Sequence, residues 1–307
     1  MRLLAILAML TGCAELGVVG DGTSVSVGKP SRGYIVDGQR LPDRGQGFVT
    51  KETWAKRGNR YGTDELIDLL TAVSRRMSTR VKERLVVADL SCRGGGDVHE
   101  WHRSHQSGRD VDLVYYVRDA DGKPVEPDAM HVFGPELVAK DGSGLRVDIP
   151  RTWMLARELL TAPEATVQWV FMYQPIANKV LEYAQSIGEP EALLEKARKA
   201  MKQPADSAPH NDHIHVRVFC TKEDRALGCQ DYGPMDLYVE REAELAANGG
   251  MLAAVANVKA AAQPPKLASA APPVAAATAT SAIRTDLKTL GRLMRTRTDR
   301  IMLPRWR

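Results

Sequence analysis

The chain has 307 residues, of which 44% are hydrophobic, and a formal net charge of +4 from 42 Lys and Arg against 38 Asp and Glu. That is enough for one domain with a real core plus appendages. The surplus of positive charge sits in the last 25 residues, so it does not argue for a polyanion-binding core, and nucleic acid is not expected as a partner of an exported chain.

The N-terminus begins Met1-Arg2, followed by an apolar run from Leu3 to Leu10 and then Thr11-Gly12. A basic start, a short apolar stretch and small residues read as a secretory signal over 1–12. The run is shorter than the roughly 20 residues a transmembrane helix needs, and no later stretch is long and apolar enough. Leu10-Thr11-Gly12-Cys13 resembles the bacterial lipobox, which implies cleavage before Cys13 and a lipid on its sulfur. The expected location is therefore the periplasm, as a lipoprotein anchored to a membrane, by expectation the outer one. Which leaflet holds the lipid stays open. Residues 13–32, rich in Gly, Ser and Val, read as a flexible tether. Ser26-Val27-Gly28-Lys29 matches a Ser-x-x-Lys motif but lacks its partner motifs, so it reads as chance.

A single domain is expected over 33–245. Thr63 reads as an N-cap with Asp64 and Glu65 in the first helical turn. Leu66, Leu69, Leu70, Val73 and Met77 follow at helical spacing, with Arg75, Arg76 and Arg80 on the exposed face. Arg84 to Leu90 reads as a buried strand, and Arg93-Gly94-Gly95-Gly96 as the loop after it. Asp110 to Val117 has the composition of a strand. Pro150 suits the start of a helix through Leu160. A strand is expected over Thr166–Met172, then helices over Pro175–Ser186 and Glu189–Met201. His213 to Phe219 alternates polar and apolar residues as a strand. The fold class is α+β: a small antiparallel sheet flanked by helices.

Histidine placement points to the chemistry. Of seven, three lie in 99–105 (His99, His102, His105) and three in 210–215 (His210, His213, His215); His131 stands apart. Imidazole is the commonest metal ligand, and a carboxylate often completes its set. Residues i and i+2 of a strand share a face, so His213 and His215 point together. His105 precedes Asp112 by a turn containing Gly108, which lets a loop histidine fold over the start of a strand. One carboxylate and histidines from adjacent strands then form a metal site at the sheet surface, closed by His105. Three protein ligands with an open position mark a catalytic zinc. Spacing leaves His213 and His215 as alternative ligands. His99-Glu100-Trp101-His102 is one residue short of the His-Glu-x-x-His helical motif, and His99 reads as a surface residue.

At these residues the chain resembles the penicillin-insensitive murein endopeptidases. They are part of a wider zinc peptidase group that includes D-Ala-D-Ala dipeptidases, lysostaphin-type enzymes and hedgehog domains. The resemblance is carried by Ser104, His105, Gly108 and Asp112, by His102 three residues before His105, by His210, His213 and His215, and by His215-Val216-Arg217; it spans roughly 33 to 232. It implies His105, Asp112 and His215 as ligands of Zn2+, His213 as general base or transition-state stabiliser, and His102 and His210 lining the site. The implied reaction is hydrolysis of D-Ala to diaminopimelate cross-links in peptidoglycan, with no acyl-serine for penicillin to trap. Two alternatives stay open: a D,D-carboxypeptidase or dipeptidase with the same site, and a non-enzymatic peptidoglycan-binding lipoprotein. A Cys92–His nucleophilic pair is a weaker rival because it leaves Asp112 and most histidines unused.

Cys220 and Cys229 flank a short polar loop after the His-x-His strand, and a disulfide there would stiffen its end. Residues 246–282, mainly Ala, Pro, Val and Gly, read as a disordered linker. In 283–307, Ile283, Leu287, Leu290 and Met294 form one helical stripe among arginines and lysine. This reads either as a basic amphipathic helix for an anionic surface or as a solvated tail.

Overall fold

The computed structural model describes residues 22–98, 102–205 and 207–247. The signal and lipobox, the basic tail, His99 and nearly all of the expected linker lie outside these residues. Strands β1 (Val25–Lys29) and β2 (Arg32–Val36) form an antiparallel hairpin. This corrects the expected tether over 13–32, from residue 22 onward. The reason is polar burial: Ser26 has no exposed surface, its hydroxyl donates to Ser107 O at 2.8 Å, and it accepts from Arg109 Nε at 3.1 Å. A serine-rich stretch looks solvated in sequence, but the Ser26 hydroxyl bonds to residues more than 80 positions away.

Helix α1 (Asp64–Ser78) starts after Thr63 as expected, and Leu66, Leu69, Leu70, Val73 and Met77 are all buried. Its cap is not local, however. The Asp64 N–H donates to Ser24 Oγ at 2.8 Å, and Ser24 N donates back to Asp64 Oδ2 at 2.8 Å. Arg76 is not free on the outer face; it joins Glu158 and Glu164, each at 2.9 Å. Of the expected strand at 84–90 only β3 (Leu85–Val86) is regular. The chain then runs on beside β4 (Asp110–Val114), where Ala88 N donates to Asp112 O at 2.8 Å and Asp112 N to Asp89 O at 2.9 Å.

Helix α2 (Ile149–Thr161) is capped by Asp148, which accepts from Arg151 N at 3.2 Å, with Pro150 in the first turn. Then come β5 (Val167–Phe171), α3 (Gln174–Ser186), α4 (Glu191–Ala200), β6 (Met201–Lys202), β7 (His213–Val218) and α5 (Lys222–Ala226). The main sheet has the order β6-β5-β7-β4. β7 is antiparallel to both its neighbours, and the two-residue β6 is parallel to β5. The α+β class holds, with the helices packed on the apolar face where Ile214, Val216 and Val218 are buried. Cys220 and Cys229 form the expected disulfide, with their Cα atoms 6.0 Å apart.

Candidate active site

The β4–β7 register sets the site. His215 lies opposite Asp112, and Arg217 opposite Asp110. Alternation then puts Asp110, Asp112, His213, His215 and Arg217 on one face of two paired strands, the face turned from the apolar core. His105 reaches that face from the preceding loop in a left-handed conformation, φ 70°, and Gly108 at φ 77° completes the turn.

Three histidines converge on one carboxylate oxygen. Asp112 Oδ1 is 3.0 Å from His215 Nδ1, 3.2 Å from His105 Nε2 and 3.4 Å from His213 Nε2. Asp112 and His105 are each 1% exposed. Asp112 Oδ1 and His105 Nε2 are buried without a hydrogen-bond partner, which is costly unless something else satisfies them. A metal ion would. Tetrahedral coordination at about 2.0–2.2 Å puts ligand atoms roughly 3.3–3.6 Å apart, close to these spacings. Among the described residues two groups could hold an ion: His102, His105 and Asp112, and His210, His213 and His215. The expected ligands His105, Asp112 and His215 draw on both groups and join at Asp112 Oδ1.

Surrounding groups decide which nitrogen each imidazole offers. His105 Nδ1 lies 3.2 Å from Leu90 O, so it carries the proton and leaves Nε2 free as a ligand atom. His215 offers Nδ1, with Nε2 3.4 Å from Asp110 Oδ1. Asp110 is gripped by Arg217 Nε at 2.6 Å and Nη2 at 3.1 Å, and takes the His105 N–H at 2.9 Å. His213 offers Nε2 and has Nδ1 2.7 Å from Asp212 Oδ1. His102, half-buried, offers Nδ1 at 3.7 Å from Asp112 Oδ2, with Nε2 3.1 Å from Asp89 Oδ2. His210 sits in a left-handed conformation, φ 54°, its ring centroid 4.8 Å from that of His213.

The electrostatics follow from burial among opposite charges. Burial alone would raise the Asp112 carboxyl, but His105 and His213 outweigh it and hold it well below the usual carboxylate range. Arg217 and His215 do the same for Asp110. For His210, burial and then the neighbouring His215 and His213 push the imidazole down to about 3, so it is neutral near pH 7.

All five of these histidines border one groove of about 1390 Å³, together with Asp89, Phe171 and Arg217. The expected residues His102, His105, Asp112, His210, His213 and His215 are thus brought together. His131 pairs instead with Asp141 at 2.6 Å and does not border the groove. Among the described residues Cys92 has no histidine partner: its Sγ faces Asn59 Oδ1 at 3.3 Å, and burial raises its thiol away from the reactive thiolate. Sequence reasoning passed over Asp89, Asp110 and Asp212 as functional groups. Asp212 had a signal, a carboxylate inside a histidine cluster. Asp89 had a subtler one, a lone acid in the apolar run Val86 to Leu90.

Comparison with known proteins agrees with this geometry. The family model described as penicillin-insensitive murein endopeptidase matches residues 26–275. A penicillin-insensitive murein endopeptidase of Haemophilus influenzae is 28% identical over 218 residues, 70% of each chain. That of Klebsiella pneumoniae is 25% identical over 245 residues, 75% of this chain and 81% of the relative. One from Escherichia coli is 25% identical over 242 residues, 74% and 80% of the two chains. With most of its length under that model, the hairpin from Ser26 onward and every histidine of the groove included, the chain belongs to the penicillin-insensitive murein endopeptidase family.

Proposed function

We propose that the chain is a zinc-dependent murein D,D-endopeptidase that hydrolyses D-Ala to diaminopimelate cross-links in peptidoglycan. The observation that carries this reading is the meeting of His105 Nε2 and His215 Nδ1 at the buried oxygen of Asp112, on the floor of a groove. His105, Asp112 and His215 hold the zinc. When bound, zinc supplies Lewis acidity to the scissile carbonyl and acidity to the attacking water.

The remaining residues handle protons and position. Asp212 accepts from His213 Nδ1, so His213 Nε2 faces the reacting groups as general base and later as acid. Its distance of 3.4 Å from Asp112 Oδ1 keeps it beside the ligands. His102 and His210 border the groove that would take the substrate. Asp110, fixed by Arg217, holds the His105 loop and the His215 ring in one frame. Neither Cys92 nor a serine is needed as a nucleophile, which is why a penicillin would find nothing to acylate. The chain acts in the periplasm, held to a membrane by a lipid on Cys13.

The test is a digest of purified cross-linked muropeptide dimers, with and without a chelator. An endopeptidase converts dimers to monomers, and chelation stops it. Intact dimers with release of terminal D-Ala alone would assign a D,D-carboxypeptidase instead. No cleavage at all, with retained peptidoglycan binding, would assign a binding lipoprotein.

A further inference from the structure

Asp89 is an acid in a place that disfavours one. It follows Val86, Val87 and Ala88 and precedes Leu90, all buried, and is itself 1% exposed. Its main-chain oxygen accepts from Asp112 N at 2.9 Å, so it is tied to the strand that carries the central carboxylate. A buried carboxylate persists only when its oxygens are satisfied. Here Oδ2 meets Arg57 Nη1 at 2.6 Å and His102 Nε2 at 3.1 Å, and Oδ1 meets Asn59 Nδ2 at 3.4 Å.

Arg57 alone would balance the charge. The contact with His102 needs a different account, because that ring lies between Asp89 and the site. An ionised carboxylate only accepts hydrogen bonds. Arg57 Nη1, 2.6 Å from Oδ2, keeps Asp89 a carboxylate. The nitrogen facing it must therefore carry the hydrogen. That leaves the other nitrogen, 3.7 Å from Asp112 Oδ2, turned toward the groove.

We infer that Asp89 is a positioning residue for His102: it fixes the imidazole with its hydrogen on Nε2, so that Nδ1 is the atom turned toward Asp112 and the groove. The arrangement mirrors Asp212 and His213 with the nitrogens exchanged. Asp212 binds Nδ1 and leaves Nε2 facing the site; Asp89 binds Nε2 and leaves Nδ1. Two carboxylates thus orient two imidazoles that approach Asp112 through different ring atoms. Only the identity of the substrate rests on the murein peptidase reading; the tautomer does not.

Two measurements test this. The first is long-range 15N–1H correlation on the full, zinc-loaded chain, with His102 assigned by its loss in His102→Gln. The expected result is a protonated Nε2 and an unprotonated Nδ1 in the wild type, and a mixture of tautomers in Asp89→Asn. A wild-type His102 with its hydrogen on Nδ1 overturns the inference, and this needs no variant of Asp89 to fold. The second is a double-mutant cycle on muropeptide-dimer cleavage. Asp89→Asn should lower kcat about ten- to a hundredfold, as removal of a group that orients a site residue does, with KM within about twofold. In a His102→Gln background the same change should have no further effect. Effects that multiply would make Asp89 merely structural and overturn the inference. If the wild type cuts no dimers, the murein peptidase reading falls, and the tautomer still decides the role of Asp89.

Discussion

Arg109 ties together three segments that are far apart in sequence. It is 1% exposed and donates to Ser26 Oγ at 3.1 Å, Val218 O at 3.1 Å, Gln230 O at 3.0 Å and Asp231 Oδ1 at 2.8 Å. Asp231 also accepts from Cys220 N at 3.0 Å and pairs with Arg225 Nη2 at 2.6 Å. Asp231→Ala removes the carboxylate paired with a buried guanidinium. Breaking such a pair costs about 3–5 kcal/mol. At roughly 2–4 °C per kcal/mol for a domain of this size, Tm falls by about 10 °C. Burial lowers the Arg109 guanidinium from its ordinary value, but arginine stays protonated well above neutrality, so the loss should be equal at pH 6 and pH 9. Closing the Cys220–Cys229 loop, a separation of nine residues, is worth roughly 2.5 kcal/mol by loop entropy. Both devices hold the same loop, so combining Asp231→Ala with Cys220→Ser and Cys229→Ser should cost less than the sum. The assay is denaturant unfolding with chelator present, so that metal binding does not enter the free energy. A loss below about 1 kcal/mol, or one that fades between the two pH values, would refute the idea that hairpin, sheet and disulfide loop share one buried ionic centre.

Other outcomes bear on the site and the anchor. The wild-type chain should bind about one zinc by elemental analysis, and His105→Ala, Asp112→Ala and His215→Ala should each lose it; full occupancy in all three would remove the site. His213→Ala should keep its zinc while kcat falls about 10²–10⁴-fold. Loss of zinc there, with retention in His215→Ala, would exchange the two assignments. Cys13→Ala in a chain lacking residues 283–307 should move from the membrane to the soluble fraction on centrifugation, and a variant that still pellets after a salt wash would sink the lipid anchor.

Much of the central sheet could be read from the sequence because its signals are local. The alternation from His213 to Val218 places two histidines on one face whatever lies beside them, and the structure agrees. The apolar spacing of α1 and the proline at the start of α2 are local in the same way. Most of the failures involve partners distant in sequence; Asp212, beside His213, is the exception. Nothing near Ser24 or Ser26 announces that their hydroxyls cap α1 and meet Arg109, so the hairpin reads as a tether. Thr63 has the right type for a cap, yet its hydroxyl makes no cap hydrogen bond, while Ser24 Oγ accepts from Asp64 N at the head of the helix. At the site, the clustered histidines could be seen, but not the carboxylates behind them. Asp89 lies 13 positions before the His102 it meets, and Asp110 lies 107 before Arg217.

The backbone at His105 explains why those carboxylates matter. A non-glycine residue in the left-handed region costs on the order of 1–3 kcal/mol at such sites, and persists only where its surroundings over-determine it. Here Asp110 takes the His105 N–H, Ser91 Oγ donates to its carbonyl, and Leu90 O holds its Nδ1. Together these contacts turn Nε2 onto Asp112 from a loop that would otherwise carry it elsewhere. The same Asp110 carboxylate lies beside His215 Nε2 and is clamped by Arg217 from the adjacent strand. A shift of the loop therefore cannot move His105 without straining the Asp110–Arg217 pair, and through it the strand bearing His215. The two halves of the motif, about a hundred residues apart, are locked by one buried ion pair that touches both, so the distance between His105 and His215 is set before any metal arrives.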